Sequence, residues 1–402
     1  MKVLVTYGWC RTAYAVVRSL SRAGHEVYVC DSSRLAMSRA SRYTAGFDRV
    51  PNPFSSPQEY VVSIGEVVRR RQIQAIVPIH EDALAIQANR ETLPAGTIVA
   101  APSEGSLRQA LDKGLMTKVA ASAGLRVPAT YQPTSADDAR DFLKTIQPPV
   151  VVKTRRGNSG KGVVIARSAE EAQTAFLSFV ERLGLSDGQL PVIQSFVSGK
   201  PCGSCFLADE GNLVACFAER YLYCKERGFG TSVVREPTHH PRIVDATERL
   251  AAKLGWTGIA HLDFLVDPHE DEPVFLEMNP RFWGALQMAI ANGYDFPKAL
   301  VDLYAVGAVD SRALQQSQDT VTGVWALGLA GAVLGEILAG HLGAPVTALR
   351  MLSRRWGEIA YDDLSLRDPL PFLAEFCDYG IGFARSGFSL NPVNLDMLRS
   401  WS

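Results

Sequence analysis

The first hundred residues alternate between short apolar runs and amphipathic stretches, and this alternation restricts the fold more than any other feature. Val3-Leu4-Val5-Thr6 is typical of a buried strand, and Thr12 to Gly24 has helical periodicity with a glycine at its end. His25 to Cys30 has the pattern of the next strand, and comparable patterns recur at Ala75 to Ile79 and Thr97 to Ala100. Strand–helix–strand units of this kind build parallel sheets covered by helices. We therefore predict an α/β domain at the amino-terminal end.

The turn after the first strand disfavours a nicotinamide-dependent enzyme. Tyr7 to Thr12 contains one glycine, whereas the dinucleotide-binding fingerprint requires three. Asp31, at the end of the second strand, is weak evidence for ribose binding on its own. We expect this domain to hold a substrate or to support the rest of the chain.

Composition narrows the classes of partner. The chain has 402 residues, enough for two or three domains, and 41 basic residues nearly balance 42 acidic ones. The net charge of −1 gives no general attraction to nucleic acid or to an anionic membrane. The most apolar stretch, Val324 to Gly340, contains Glu336 and is too short for a membrane span, so we predict a buried helix there. The seven scattered cysteines indicate reduced thiols, and we predict a cytoplasmic protein with no nucleic-acid or membrane partner.

A glycine-rich segment in the middle of the chain has the pattern of a hairpin. Val150 to Lys153 is a predicted strand that runs into Arg155 to Gly162, and Val163 to Ala166 is the next strand. A Walker-type loop would open a helix instead, and it would carry Ser or Thr where Gly162 follows the lysine. Because glycine lets backbone N–H groups approach anionic oxygens closely, such a hairpin can still cover phosphates.

Polar side chains recur at alternate positions of an otherwise apolar strand near residue 280. Glu277, Asn279 and Arg281 are two residues apart, so they project to one side, and a neighbouring antiparallel strand can bring Asp263 opposite them. Carboxylate and amide oxygens next to an arginine suit Mg²⁺ that bridges phosphate oxygens. Spacing alone is equally compatible with an ordinary strand whose polar side faces water. Lys153 followed by the glycine hairpin, upstream of this strand, favours the phosphate site.

These features together resemble the ATP-grasp superfamily, and among its members the carboxylate–amine ligases similar to carbamoyl-phosphate synthetase. The resemblance extends over about residues 1–305, and its most specific part is Phe275 to Gly284, which matches the acid-x-Asn-Pro-Arg signature. It implies α/β and α+β multidomain architecture: a parallel α/β pre-ATP-grasp domain, a two-lobed ATP-grasp fold and a carboxy-terminal extension. The expected boundaries are 1–112, 113–308 with lobes of about 113–193 and 194–308, and 309–402.

The resemblance also implies roles for individual residues. Asp263, Glu277 and Asn279 would bind one or two Mg²⁺ ions, with Mn²⁺ as an alternative. The implied ATP contacts are Lys113, Lys153, Gly157, Ser159, Gly160, Lys161, Gln194, Ser195, Phe196 and Val197, the last four forming a hinge against adenine. The implied catalytic residues are Arg281, Lys153, Arg220 and Arg235, the latter two contacting substrate carboxylate. Arg227 to Ser232 would be a second mobile loop.

Three positions depart from the family pattern. Gln194 stands where the hinge usually begins with glutamate, and Lys200-Pro201 stand where an acid commonly binds ribose. His261 stands where some related ligases carry arginine, two residues before the first metal-binding acid. These differences leave the ribose contact and an anion contact open.

The expected reaction follows from the resemblance and from the charges involved. ATP would convert a carboxylate into an acyl phosphate, and an amine, with an amino acid as the expected acceptor, would attack it to give an amide, ADP and phosphate. The alternatives are a carboxylate or carbamate kinase without an amine acceptor, and a non-catalytic nucleotide-binding module. The substrates would be small molecules, and the oligomeric state is left open, with a homodimer as one option.

Overall fold

Three β-sheets organise the chain, with helices packed on their faces. The computed structural model describes residues 1–157, 162–226, 229–310, 312, 314, 320–353 and 358–385. The expected nucleotide contacts Ser159, Gly160 and Lys161, and the first two residues of the expected second loop, Arg227 and Gly228, lie outside the described residues.

The amino-terminal sheet is parallel and has five strands in the order β3-β2-β1-β4-β5. Its strands are β1 Lys2–Val5, β2 Glu26–Asp31, β3 Gly46–Arg49, β4 Ala75–Val77 and β5 Ile98–Val99. Helices α1 Arg11–Arg22, α2 Pro57–Arg71 and α3 Asp82–Ala88 connect them. This sheet confirms the predicted parallel α/β fold, because buried apolar strands alternate with one-sided helices as the sequence pattern requires.

The order of these strands creates a crevice where ligands bind in open parallel sheets. Strands β2 and β3 are added on one side of β1, and the chain then crosses to add β4 and β5 on the other side, so the carboxyl ends of β1 and β4 flank a switch point. Tyr7 follows β1 and His80 follows β4, and their rings stack with centroids 4.8 Å apart. The amino-terminal domain therefore presents side chains at the edge of the sheet where a substrate is expected.

Two helices lead from this domain to a four-stranded antiparallel sheet. They are α4 Glu104–Leu111 and α5 Lys113–Ser122, and the Asp112 side chain caps α5 by accepting a hydrogen bond from the Leu115 amide at 2.9 Å. The sheet has the order β6-β9-β7-β8, with strands β6 Thr130–Tyr131, β7 Val150–Lys153, β8 Val163–Ala166 and β9 Val192–Ser195. Helices α6 Ala136–Leu143 and α7 Ala169–Leu183 cover it. Strands β7 and β8 pair antiparallel, as the glycine-rich hairpin predicted.

The largest sheet has seven strands in the order β14-β13-β10-β11-β12-β15-β16. They are β10 Lys200–Asp209, β11 Asn212–Glu226, β12 Phe229–Pro237, β13 Gly258–Val266, β14 Pro273–Asn279, β15 Thr322–Val324 and β16 Ile359–Tyr361. The accompanying helices are α8 Pro241–Leu254, α9 Leu286–Ala291, α10 Phe296–Val306, α11 Ala326–Leu338, α12 Ala344–Ser353 and α13 Leu370–Arg385. The last two strands come from the carboxy-terminal part of the chain, which thereby extends the edge of this sheet.

Two sequence expectations need correction in this region. The residues from Phe229 to Ser232 were expected in a mobile loop, but they begin strand β12, because main-chain pairing with β11 extends to Phe229 opposite Glu226. The apolar stretch near residue 330 forms helix α11, yet its burial is one-sided. Leu329 is buried while Leu334 and Leu338 are exposed, since only one face of the helix packs on the sheet. Within the described part of the chain, no helix has both the length and the apolar character needed to span a bilayer.

Candidate active site

The register of the large sheet brings the predicted metal-binding residues onto one face. Asp263 pairs with Glu277 across β13 and β14, and the neighbouring pair on the same face is His261 with Asn279. Because side chains two residues apart on a strand share a face, Asp263, Glu277 and Asn279 converge. The Asn279 amide donates a hydrogen bond to the Asp263 carboxylate at 3.0 Å. The site therefore depends on strand pairing between residues 14 positions or more apart.

Two lysines from other elements approach the same carboxylates. Lys113 is the first residue of α5, and its Nζ lies 3.3 Å from Glu277 Oε2 and donates a hydrogen bond to the Gly157 carbonyl. Lys153 ends strand β7 and is only 8% exposed. A buried ammonium is costly unless anions lie near it, and Glu277 and Asp263 are the acids that act on Lys153. The two lysines and two acids are thus one charge cluster.

The pKa values in this cluster follow from burial and from the opposing charges. Burial lowers the pKa of Lys153 below its ordinary value, and Glu277 partly offsets this. Burial would raise the pKa of Glu277, but Lys113 and Lys153 hold it below its usual value. Burial and the neighbouring Glu277 charge raise the pKa of Asp263, although His261 opposes them. Glu277 is therefore held as a carboxylate by the lysines, while Asp263 lacks comparable cationic support.

A second group of polar side chains supports Asp263 from the adjacent strands. The Tyr221 hydroxyl donates to Asp263 Oδ1 at 2.7 Å and lies 3.0 Å from His261 Nε2. Glu219, two residues earlier on β11, lies 3.7 Å from His261 and is 2% exposed. Burial alone would lower the pKa of His261, yet Asp263 and Glu219 together raise it. The Tyr221 hydroxyl consequently fixes the orientation of a carboxylate that is a candidate metal ligand.

A glycine makes room for this arrangement. Gly203 lies between Glu219 and Asp263 in the strand register. A Cβ atom at this position would lie 2.7 Å from both the Tyr221 hydroxyl and His261 Nε2. Any side chain at position 203 would therefore displace the hydrogen-bonded pair behind Asp263.

Arg281 connects this site with the amino-terminal domain. Its guanidinium donates to Asn279 Oδ1 at 3.1 Å and to the Phe282 carbonyl at 2.9 Å, and Nε lies 3.3 Å from Glu81 Oε1. Glu81 precedes helix α3 at the switch-point edge of the parallel sheet and is 6% exposed. Arg281 is therefore oriented between the metal-ligand candidates and the crevice of the amino-terminal domain.

Comparison with known proteins identifies the central part of the chain. Residues 110–285 match the family described as an ATP-grasp domain. These residues form an ATP-grasp domain. The match includes Lys113, Lys153, Asp263 and the strand that ends in Asn279, so it covers all the elements that build the charge cluster. It confirms the superfamily to which the sequence was similar.

The proteins similar to this chain include ligases and a carboxylase. A probable α-L-glutamate ligase from Thioalkalivibrio sulfidiphilus (strain HL-EbGR7) is 27% identical over 273 residues, covering 64% of this chain and 79% of that protein. The structure of biotin carboxylase from Campylobacter jejuni superposes with a TM-score of 0.65 at 16% identity, covering 80% and 74% of the two chains. L-amino acid ligase from Bacillus licheniformis gives 0.59 at 14% identity, covering 80% and 78%. The structural likenesses support the predicted α/β and α+β multidomain fold.

The expected hinge of the ATP-grasp domain lies at the end of β9. Gln194 is 2% exposed, and its side-chain amide donates to the Thr130 hydroxyl at 2.9 Å. The Gln194 Oε1 atom has no hydrogen-bond donor among the residues described here. Ser195 and Phe196 are exposed and Val197 is half-buried, so the chain emerges at the surface directly after Gln194. Gln194 therefore offers a buried acceptor next to an accessible segment.

The two further arginines expected in the ATP-grasp site have different environments. Arg220 pairs with Cys202 in the sheet, so it lies on the face opposite Glu219 and Asp263, and its Nε donates to Glu236 at 3.1 Å. The structure does not bring Arg220 into the charge cluster, because strand alternation points it away. Arg235 is on the same face as Tyr221, but it is 1% exposed and donates two hydrogen bonds to Asp362, at 3.1 and 2.8 Å.

Several residues at this site were not among the expected ones. Glu81 has one local signal, its position directly after a parallel strand and at the start of helix α3. Tyr221 and Glu219 carry no local signal, since they reach Asp263 and His261 only through the pairing of β11 and β13 with β10. Asp362 lies in the carboxy-terminal region, where the sequence showed no interpretable motif.

Proposed function

We propose that the protein is an ATP-dependent ligase that activates a carboxylate as an acyl phosphate and joins it to an amine. The products would be an amide, ADP and phosphate, with an amino acid as the acceptor. The observation that carries this proposal is the position of Glu277. Glu277 forms an ion pair with Lys113, and the charge of Lys153 also acts on it. It lies opposite Asp263 in the sheet and belongs to the same strand and signature as Asn279 and Arg281. The ligases among the relatives support the same reaction class.

The buried acids and lysines suit the phosphates of ATP together with Mg²⁺. Asp263, Glu277 and Asn279 supply oxygen atoms for the ion, which magnesium prefers. When bound, Mg²⁺ would neutralise charge on the phosphate oxygens. Lys113 and Lys153 neutralise the charge of Glu277 in this structure. When ATP binds, the same two ammonium groups would pair with phosphate oxygens. Gln194 Oε1 is an acceptor suited to the amino group of adenine. We propose that one or two ions bind there, with Mn²⁺ as an alternative to Mg²⁺.

The reaction requires charge stabilisation more than acid–base chemistry. A carboxylate oxygen attacks the γ-phosphorus of ATP, the bond to the β-phosphate oxygen breaks, and ADP leaves. Lys153 and Arg281 are fixed donors that stabilise the charge on the transferring phosphoryl group. A neutral amine then attacks the acyl carbon, and phosphate leaves as the amide forms. Glu81 keeps the Arg281 guanidinium in position, with Nε 3.3 Å from its carboxylate.

The decisive experiment measures ADP release by the full chain over pairwise pools of carboxylates and amines. ADP formation that needs both a carboxylate and an amine, with amide detected by mass spectrometry, is the expected result. Glu277→Gln keeps the size of the side chain and removes its charge, and it should reduce turnover at least about a hundredfold. Glu270→Gln is the matched control, because Glu270 is exposed on the turn between β13 and β14 and its carboxylate pairs with Arg126, away from the charge cluster.

Other outcomes point to the two alternatives. An acyl phosphate that accumulates as the final product without an amine would indicate a carboxylate or carbamate kinase. Mg-ATP binding without turnover over the whole panel would indicate a nucleotide-binding module. Full activity of Glu277→Gln would contradict the site itself.

The proposed division of the chain has three parts, 1–112, 113–308 and 309–402. The separate parallel sheet supports the first boundary, and the four-stranded and seven-stranded sheets support two lobes near 113–193 and 194–308. Strands β15 and β16 attach the third part to the second lobe. A homodimer and a cytoplasmic location remain predictions.

A further inference from the structure

A buried group of charged residues lies beyond the phosphate-binding residues, where three parts of the chain meet. We call it the seam cluster; its members are Arg11 on α1, Arg235 on β12, Asp362 after β16 and Glu375 on α13. Asp362 and Arg235 are each 1% exposed and Glu375 is 3% exposed. Arg11 Nε lies 3.7 Å from Asp362 Oδ2. The amino-terminal domain, the ATP-grasp domain and the carboxy-terminal part each contribute at least one member.

The seam cluster adjoins the site proposed for ATP. Arg235 pairs with Tyr221 in the sheet, and Tyr221 donates to Asp263. Gly284, three residues after Arg281, leaves room for Arg11, because a Cβ there would lie 2.5 Å from Arg11 Nη2. The seam cluster is therefore linked to Asp263 through Tyr221, and Arg11 lies against the chain three residues after Arg281.

The seam cluster contains unsatisfied polar atoms of both kinds. Arg11 Nε and Arg235 Nε are donors and Asp362 Oδ1 is an acceptor, and in the part of the chain described none of the three has a hydrogen-bond partner. The Glu375 carboxyl accepts a hydrogen bond from the Trp325 side chain. Buried polar groups are nearly always hydrogen-bonded, so three unsatisfied atoms in one cluster indicate a missing partner. A ligand that satisfies them carries both an acceptor and a donor, and a carboxylate with an ammonium group also matches the charges of Arg11 and Asp362.

Aromatic rings border the same cluster. Trp325 stacks under the Arg11 guanidinium, with 3.8 Å from Cζ to the ring centroid. Tyr379 contacts both Trp325 and Trp9, with centroids 6.0 and 6.3 Å apart, and the Tyr7 ring lies 5.9 Å from Trp9. Trp9 and Tyr379 are half-buried, and the Lys225 ammonium lies 5.5 Å from the Trp325 ring centroid and 6.0 Å from that of Tyr379. Such a row of rings favours a flat apolar group beside the charged one.

We propose that the seam cluster binds one substrate of the ligase, an α-amino acid with an aromatic side chain. Its carboxylate would pair with Arg11, its ammonium group would donate to Glu375 and Asp362, and its ring would lie against Trp9 and Tyr379. This assignment rests on the proposed ligase function and adds a role for the carboxy-terminal part, which supplies Asp362, Glu375 and Tyr379. The charge on Arg235 remains neutralised by Asp362.

The test is calorimetric titration of the full chain with L-phenylalanine and L-tryptophan, without ATP. We expect binding of both, and at least about tenfold weaker binding of L-alanine, phenethylamine and 3-phenylpropanoate, which each lack one of the three recognised groups. Glu375→Gln and Arg11→Gln should each weaken binding of L-phenylalanine at least about tenfold. Glu358→Gln is the matched control, because Glu358 is an exposed acid of the same carboxy-terminal part.

Because this titration needs no ATP turnover, it separates the two proposals. Binding of L-phenylalanine by a protein that never releases ADP would support the seam site and refute the ligase. Amide formation with other amino acids, without binding of aromatic ones, would refute the seam site alone. Equal affinity of wild type and Glu375→Gln would also overturn it, and circular dichroism of each variant establishes that it is folded. A crystal structure with L-phenylalanine located elsewhere would contradict the assignment directly.

Discussion

The two ends of the polar face of the large sheet differ in how their charges are compensated. At the β13–β14 end, Glu277 lies between Lys113 and Lys153, and Asp263 accepts hydrogen bonds from Tyr221 and Asn279. At the β12–β16 end, the seam cluster has one strong pair, Arg235 with Asp362, and several unsatisfied atoms. The β13–β14 end is suited to a polyanion together with a metal cation. At the β12–β16 end, both hydrogen-bond donors and an acceptor are left without partners among the described residues. The difference suggests that the two ends bind different substrates of one reaction.

The largest effect on activity is expected from removing the buried ammonium group of Lys153 at the β13–β14 end. Lys153→Met should lower the rate of ADP formation about a thousandfold, because a fixed charge that stabilises the transferring phosphoryl group is lost in a dry environment. Steady-state kinetics with saturating carboxylate and amine measure this. Lys118→Met, an exposed lysine on α5, should retain the wild-type rate. Comparable rates for both variants would contradict the role of Lys153.

The ion pair between Arg235 and Asp362 at the β12–β16 end can be tested by measuring the free energy of unfolding. Asp362→Asn removes the carboxylate that faces Arg235 and Arg11 and should cost about 3 kcal/mol, since a buried charge then lacks its partner. Urea unfolding followed by tryptophan fluorescence measures the shift in midpoint. The double variant Arg235→Met with Asp362→Leu should lose less than Asp362→Asn alone. A single variant as stable as wild type would show that the pair carries no such energy.

A smaller effect on activity is expected from changing Tyr221, which hydrogen-bonds to the candidate metal ligand Asp263. Tyr221→Phe deletes the hydroxyl that orients Asp263 and should raise the Mg²⁺ concentration needed for half-maximal activity about tenfold, with a smaller change in turnover at saturating Mg²⁺. Titration of Mg²⁺ at fixed ATP separates the two. Tyr223→Phe is a nearby control, because its hydroxyl donates to Glu336 instead. An unchanged Mg²⁺ requirement would remove Tyr221 from the site.

The smallest effect is a change of stability with pH at the seam cluster. Burial, assisted by Asp363 and opposed by Arg11, raises the pKa of Glu375 to about 8. The folded protein therefore holds this proton more tightly than the unfolded chain does, so the stabilisation is complete below pH 4.5 and is lost as the pH rises through 8. Glu375→Gln should match wild type near pH 4.5 and exceed it by about 1 kcal/mol or more at pH 9.

Thermal unfolding of both proteins across that range measures this difference. Asp31, whose pKa burial raises to about 7, lies outside the seam cluster, changes the stability of both proteins alike and cancels in the comparison. Asp362, whose pKa burial raises to about 6 despite Arg235, interacts with Glu375, so its titration contributes to the measured difference. A constant difference between wild type and Glu375→Gln from pH 4.5 to 9 would show that the Glu375 carboxyl is not protonated in this way.

Local sequence patterns were sufficient to predict most of the β13–β14 end of the site. The parallel sheet, the hairpin of β7 and β8 and the face shared by Glu277 and Asn279 follow from periodicities of a few residues, and the signature through Arg281 identified the superfamily. Such features depend on residues close in sequence, which is why they could be predicted. The same patterns did not predict strand β12, since its extension to Phe229 depends on pairing with β11.

The contacts at the β12–β16 end could be learned only from the tertiary structure. Arg220 and Arg235 were expected together as substrate contacts, but strand alternation places Arg220 on the opposite face and pairs Arg235 with Asp362, 127 residues away. Glu81 meets Arg281 across 200 residues, and Glu375 reaches the Arg11 region only because α13 folds back. The amino-acid sequence by itself determined which side chains could hold phosphate and magnesium. Only the folded chain determined which distant charges are buried together, because burial and pairing arise from contacts between separate elements.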